Sequence, residues 1–270
     1  MRFKMINVAV VLMLLAGIAM AQTSTPSSSQ TANILYDDFN QGLLDPLRWT
    51  TGASCWSSDY SEMECVRMIQ TGKLLLAQRT FGQRDSDTGN QVGLASLNFA
   101  NPAAIKSTTL GIVVRAIDEV PCAANPQFGG QVQVNETFFN AGSGNSSDDV
   151  GAQFSFSRSF TDPKGLVSIW AQIYQGYNYF GFVPIGSVSI GTPVTATLAW
   201  DKSNHQFIAA ATNDVTHVKM QITLPYTFSD NTPAINPAKS FGVINFPGNC
   251  TKNPTWGYTE ATFDNVRVSN

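Results

Sequence analysis

Paired carboxylates are the first chemistry to seek in this sequence, because hydrolysis of a glycosidic bond normally uses two of them. The chain has five glutamates, and only Glu62 and Glu64, in the stretch SEMEC, have a spacing that points both side chains to one face of a strand. They lie between Cys55 and Cys65, and acidic side chains are mostly exposed. We therefore expect a solvated loop here, and the sequence shows no catalytic acid pair.

Groups for other chemistries are sparse. His205 falls in a predicted turn and His217 on the polar side of a predicted strand, so neither is well placed as a general base. No Gly-x-Ser-x-Gly motif surrounds a candidate nucleophile. The shortage of histidine and the absence of a CxxC spacing also disfavour a zinc site.

An aromatic stretch, SIWAQIYQGYNYFGF, is the strongest candidate for ligand binding. As a hairpin strand it has one aliphatic face and one face that mixes aromatic rings with an amide and a hydroxyl. Rings stack on the apolar faces of a sugar, and amides bond its hydroxyls. The alternative is that loops cover this face and the rings pack beneath them. The candidate binding residues are Trp170, Gln172, Tyr174, Tyr177 and Tyr179, with Arg115 as a further partner.

The elements that must position these residues are short alternating strands. THVKMQITL, PVTATLAW, TLGIVVRAI and QFSFSRSF each place apolar residues at every second position. Turn signals such as TDPKG and DKSN separate them, and no helical period of any length is present. Many strands at regular spacing predict an all-β fold, an antiparallel sandwich or jelly roll.

The N-terminus has the features of a secretory leader. Arg2 and Lys4 precede an apolar run, and Ala19-Met20-Ala21 is a small-x-small cleavage signal, so we predict a signal peptide over residues 1–21. A Ser/Thr-rich flexible lead over 22–32 and one β-sandwich domain over 33–270 follow. The net charge of −3, with 16 Lys+Arg against 19 Asp+Glu, gives no electrostatic reason to bind nucleic acid or anionic membrane.

Four cysteines behind a signal peptide predict two disulfides. Three pairings are possible. We favour Cys55 with Cys65, which closes a short local loop, and therefore Cys122 with Cys250.

Several short motifs resemble the secreted, bacterial-type domains of the concanavalin A-like lectin/glucanase superfamily, which includes laminin-G-like domains. They are ILYDDFNQGLLDPLRW near the start, MIQTGKLLLAQ, VTATLAWDKSNHQFIAAATND and the closing ATFDNVRVSN. The resemblance covers most of residues 34–270 and specifies a superfamily and no particular protein. It implies two packed, curved antiparallel sheets, a concanavalin A-like jelly roll with its first and last strands often adjacent.

The resemblance also suggests where a metal and an enzyme site would lie. Adjacent terminal strands would bring Asp38 and Asp264 together as candidate ligands of a structural calcium ion, which prefers oxygen ligands. The stretch DSDTGN, which begins at Asp85, is a second candidate that lacks the glutamate of a complete EF-hand loop. Polysaccharide lyases of this fold resemble one another in an Arg, Gln, His and Tyr set on inward-facing strands. This chain offers Gln172 and Tyr174, with Arg115 or Arg158, but no histidine in the expected strand.

The sequence therefore favours a secreted, non-catalytic β-sandwich, extracellular or periplasmic, that binds carbohydrate or a cell-surface glycan. Two alternatives stay open because a fold does not determine a function. One is a polysaccharide-active hydrolase or lyase with an atypical site. The other is a structural envelope or matrix protein without a ligand.

Overall fold

The structure is a computed structural model, and it describes residues 33–50, 55–58, 63–125, 129–142, 144–159 and 161–270. The predicted signal peptide (1–21), the lead (22–32) and Glu62 of the predicted acidic pair lie outside the described residues.

Strands dominate the described chain. Three short 3₁₀ helices connect some of them, at Pro102–Ala104, Ser146–Asp148 and Lys202–Asn204. The strands are β1 (Ile34–Asp37), β2 (Trp49–Thr50), β3 (Cys55–Ser57), β4 (Met63–Gln70), β5 (Lys73–Phe81), β6 (Gly93–Phe99), β7 (Ser107–Val120), β8 (Gly130–Asn140), β9 (Asp149–Arg158), β10 (Leu166–Gln175), β11 (Asn178–Ser189), β12 (Pro193–Asp201), β13 (Gln206–Asn213), β14 (Lys219–Pro225), β15 (Thr232–Pro233), β16 (Lys239–Asn245) and β17 (Trp256–Ser269).

The strands form two antiparallel sheets that pack as a sandwich. Sheet A has the order β14-β13-β12-β7-β17-β5-β4, and β1 also pairs with β17. Sheet B has the order β11-β10-β9-β8-β16-β6-β2, with β15 paired to β8 and β3 to β6. The predicted all-β antiparallel sandwich is confirmed, and its first and last strands are adjacent as the resemblance implied.

The two-residue alternation of the sequence determines which face of each strand enters the core. The predicted alternations in β7, β9 and β12 are confirmed, because their apolar residues are buried between the sheets. Val218 is an exception: it precedes β14 and is exposed, whereas Leu224 of the same motif is buried. The core residues that establish the inner faces include Leu110, Ile112, Phe154, Phe156, Val194 and Leu198.

Two disulfides link distant parts of the sandwich. Cys55 of β3, in sheet B, is bonded to Cys65 of β4, in sheet A. Cys122 is bonded to Cys250, 128 residues along the chain. Both pairs are the ones favoured from the sequence.

A lysine and a glutamate are buried together between the sheets. Glu136 of β8 and Lys239 of β16 are register partners, and both are almost fully buried. The Lys239 Nζ donates to the carbonyl of Thr137 at 2.8 Å. Burial raises the pKa of Glu136 to about 7, although the charge of Lys239 opposes this shift. Burial likewise lowers the pKa of Lys239 to about 8, against the effect of Glu136.

A second charged pair closes one end of the interior. Arg158 of β9 lies 3.7 Å from the carboxylate of Glu119 in β7, and both side chains are buried. Burial raises the pKa of Glu119 to about 7, and Arg158 opposes the shift. None of the helices in the described part of the chain is both long enough and apolar enough to span a membrane.

Candidate functional site

The outer face of sheet B, which points away from sheet A, carries amide, hydroxyl and small side chains. Core residues occupy every second position of β8, β9 and β10, so the residues between them point outward. We call fifteen of these outward positions, three on each of β6, β16, β8, β9 and β10, the amide face. Its three cross-strand rows are Asn98, Ser240, Asn135, Gln153 and Gln172; Ser96, Gly242, Gln133, Ser155 and Trp170; and Leu94, Ile244, Gln131, Ser157 and Ser168. None of these fifteen positions carries a charged side chain.

Three glutamines on neighbouring strands form a hydrogen-bonded ladder at the centre of the amide face. The Nε2 of Gln172 in β10 donates to the Oε1 of Gln153 in β9 at 2.6 Å. The Nε2 of Gln153 in turn donates to the Oε1 of Gln133 in β8 at 2.8 Å. Gln133 and Gln153 are only 7% and 5% exposed, so they hold the partly exposed Gln172 in place and orient it before any ligand arrives.

Trp170 and Tyr174 stand on either side of Gln172 along β10, and both are hydrogen-bonded. The indole Nε1 of Trp170 donates to the hydroxyl of Ser157 at 2.7 Å, and only 8% of Trp170 is exposed. The hydroxyl of Tyr174 bonds that of Thr137 at 2.9 Å. Burial raises the pKa of Tyr174, so the phenol stays neutral. A Cβ on Gly151 would clash with the backbone carbonyl of Glu136 and with the Tyr174 ring, so only glycine leaves room for this ring.

Exposed rings stand next to these two on the edge strand β11. Tyr179 contacts Tyr174 with ring centroids 6.2 Å apart, and Phe182 contacts Trp170 at 5.0 Å. Tyr179 is 63% exposed and Phe182 is 61% exposed. The pairing of β10 with β11 shifts register on both sides of Trp170, and Gly181 has a φ of +66°, which suits glycine. We call Tyr179 and Phe182 the aromatic edge.

The structure brings together four of the six predicted ligand-binding residues. Trp170, Gln172 and Tyr174 lie on one face, and Tyr179 is paired opposite Tyr174. Tyr177 lies in the turn between β10 and β11 and is 96% exposed.

Arg115 does not join them. It belongs to β7 in sheet A, on the other side of the sandwich, and its Nε lies 3.1 Å from the carboxylate of Glu260. The aromatic stretch and TLGIVVRAI thus belong to different sheets, which the alternation of each motif alone does not reveal.

The alternative to ligand binding, that the rings of the aromatic stretch are packed structural residues, holds for Trp170 and Tyr174. Trp170 and Tyr174 are packed and hydrogen-bonded, so they support the surface and offer little ring area to a ligand. The accessible rings of the stretch are Tyr177 in the turn and Tyr179, Phe180 and Phe182 on β11. The sequence pattern identifies Tyr179 but not Phe182, Gln153 or Gln133. The alternation in QVQVNE and in AQFSFS could have marked the two glutamines as outward-facing.

The predicted carboxylate sites lie elsewhere. Glu64 is on the outer face of sheet A and forms an ion pair with Arg79 at 2.8 Å. Asp87 accepts hydrogen bonds from the backbone and hydroxyl of Thr251, and the Thr251 backbone is the main reason why the pKa of Asp87 is lowered. Its neighbours Cys122 and Cys250 are already joined in a disulfide and cannot act as metal ligands.

The terminal aspartates fit a calcium ion only in part. Asp38 follows β1 and Asp264 lies in β17, the partner of β1. The backbone hydrogen bond from Asn40 lowers the pKa of Asp38, and the carboxylate of Asp264 accepts from the amide of Asn265 at 2.7 Å. Two carboxylates supply at most four of the six to eight oxygens that calcium takes, so carbonyls or water would complete the set.

Comparison with known proteins finds only distant structural likenesses. No family model matches the chain, and no curated sequence is significantly similar. Peanut lectin with a 9-mer peptide aligns over 88% of this chain and 98% of its own, at 17% identity and a TM-score of 0.40. The exoplasmic/lumenal domain of VIP36, in a Ca²⁺/Man2-bound form, covers 86% and 87%, at 9% identity and a TM-score of 0.41. Scytalido-glutamic peptidase covers 59% and 66%, at 12% identity and a TM-score of 0.38.

Proposed function

We propose that this chain is a secreted, non-catalytic carbohydrate-binding protein whose ligand lies on the amide face and the aromatic edge. The observation that carries the proposal is the junction of the Gln133–Gln153–Gln172 ladder with two exposed rings on the outer side of sheet B. Amides offer both donors and acceptors to sugar hydroxyls, and rings offer an apolar plane to the sugar ring.

The ladder suits a hydroxyl-rich ligand for a geometric reason. Hydrogen bonds between the glutamines already hold their orientation, so little side-chain entropy remains to be lost on binding.

Binding is favoured over hydrolysis because of where the nearest glutamate points. Glu136 follows Asn135 along β8, so its side chain faces the opposite side of the sheet and is buried in the core beside Lys239. It cannot reach a ligand on the amide face. The fifteen positions of that face supply no carboxylate for the acid pair that glycosidic hydrolysis needs.

Secretion and calcium are parts of the same proposal. Two disulfides fit an oxidising compartment outside the cytoplasm, as the leader motif suggests. A calcium ion at Asp38 and Asp264 would join the first strand to the last, on sheet A, and would therefore stabilise the fold without touching the ligand.

The test is affinity electrophoresis of the protein through gels that contain different polysaccharides. We expect at least one polysaccharide to retard the wild-type protein, and we expect Phe182→Ala and Gln153→Ala to be retarded less. Val215→Ala is the matched control, because Val215 is 68% exposed and lies in the β13–β14 turn of the other sheet. Equal retardation of the control and both face variants would place the binding elsewhere, and free migration in every gel would refute the proposal.

A further inference from the structure

Charge is distributed very unequally between the two outer faces of the sandwich. The amide face has no charged side chain at its fifteen positions. The outer face of sheet A instead carries ion pairs, including Arg79 with Glu64 and Arg115 with Glu260. A shallow cavity of about 310 Å³ on that face is lined by further charges, among them Lys73, Asp264 and Arg267.

This separation limits the chemistry of a ligand on the amide face. A carboxylate or sulfate group brought against it would lose water without meeting a lysine or arginine. Removing a charge from water without a partner is costly, whereas hydroxyls exchange water for amides at little cost. Proteins that recognise acidic groups normally place arginine or lysine at the contact.

The direction of the polar groups also limits the shape of the ligand. The row of Asn98, Ser240, Asn135, Gln153 and Gln172 crosses five neighbouring strands. With strands about 4.8 Å apart, the four gaps between them add up to about 19 Å. At the β10 end the row adjoins the aromatic edge. Such a row fits an extended chain of several sugar units better than a single terminal sugar.

We propose that the ligand is a neutral polysaccharide, whose chain lies across β6, β16, β8, β9 and β10 and stacks on the aromatic edge at β11. This inference rests on the proposed function and adds the charge class and the direction of the ligand.

The test compares each neutral polymer with its own charged derivative. Glucan, mannan and galactan are each embedded in a gel, beside the same polymer oxidised at its primary hydroxyls to carboxylates. We expect a neutral polymer to bind the protein at least about tenfold more tightly than its oxidised form, a difference of 1.4 kcal/mol. We also expect its Kd to be insensitive to added NaCl, because no ion pair is involved.

The outcomes separate this inference from the proposed function. Retardation by oxidised or naturally acidic polymers, with none by neutral ones, would overturn the inference and leave carbohydrate binding intact. Retardation by no polymer would overturn both.

A variant at the far end of the row tests the direction. We expect Asn98→Ala to weaken binding of the polymer by a few-fold and to leave binding of a two- or three-sugar fragment unchanged. Unchanged polymer binding in Asn98→Ala, together with weaker binding in Gln172→Ala, would mean that the ligand does not cross the strands.

Discussion

The buried Glu136–Lys239 pair should make the stability of this protein depend on pH in a way that removal of the pair abolishes. The perturbation is the double substitution Glu136→Gln with Lys239→Met, which keeps similar volumes and removes both charges. Both side chains lie between the sheets, so neither can relax into water without opening the core.

The expected size follows from the two pKa shifts. The pKa of Glu136 rises from 4.5 to about 7, because burial disfavours its charged form. Stability is therefore lost as the pH rises through this interval, by roughly 3 kcal/mol at 1.36 kcal/mol per unit. The pKa of Lys239 falls from 10.5 to about 8, so its unfavourable contribution persists up to about pH 8 and is relieved at higher pH. The pair should thus be least favourable between about pH 7 and about pH 8.

The assay is urea unfolding of the wild type and the double variant at several pH values from about 4.5 to about 9. The unfolding free energy of the wild type minus that of the double variant should fall as the pH rises towards 7 and should increase again above pH 8. Other titrating groups, such as Glu119, are present in both proteins and cancel. As a control, Glu64→Gln at the exposed pair with Arg79 should change stability by less than about 1 kcal/mol throughout. Parallel curves for wild type and double variant would refute the reasoning.

Three further predictions concern packing, the long disulfide and calcium. Trp170→Ala should lower the unfolding free energy by about 3 kcal/mol, because it deletes a buried ring and strands the Ser157 hydroxyl; unchanged urea unfolding would show that the ring is not packed. Replacing Cys122 and Cys250 with alanine should lower the unfolding free energy by about 4–5 kcal/mol, since the disulfide closes a loop of 128 residues. A urea midpoint equal to that of the wild type would argue against this disulfide. Calcium should raise the Tm of the wild type but not that of Asp264→Asn, because the ion binds only the folded state. Equal Tm values of the wild type with calcium and with chelator would show that no calcium ion binds at this site.

The fold was largely predictable because its signal is local. Alternation in PVTATLAW and QFSFSRSF specifies which residues enter the core, and these residues are buried in β12 and β9. The closing ATFDNVRVSN and the opening ILYDD resembled terminal strands, and β1 does pair with β17.

The site was only partly predictable, because its assembly is not local. Arg115 and the aromatic stretch have equally clear strand patterns, yet sheet order separates them. Phe182 was missed because its contact with Trp170 depends on register shifts between β10 and β11, which simple alternation does not predict. The glutamine ladder depends on three strands being neighbours in the right register.

The most direct test of the central claim is isothermal titration calorimetry with the neutral polysaccharide that retards the protein most. It should compare the wild type with Gln153→Ala, Phe182→Ala and Arg115→Ala, which probe opposite faces of the sandwich. The account predicts that Gln153→Ala and Phe182→Ala each raise Kd by about tenfold, whereas Arg115→Ala stays within about twofold of the wild type. Loss of binding in Arg115→Ala, with Gln153→Ala and Phe182→Ala unchanged, would contradict it and would place the ligand on sheet A.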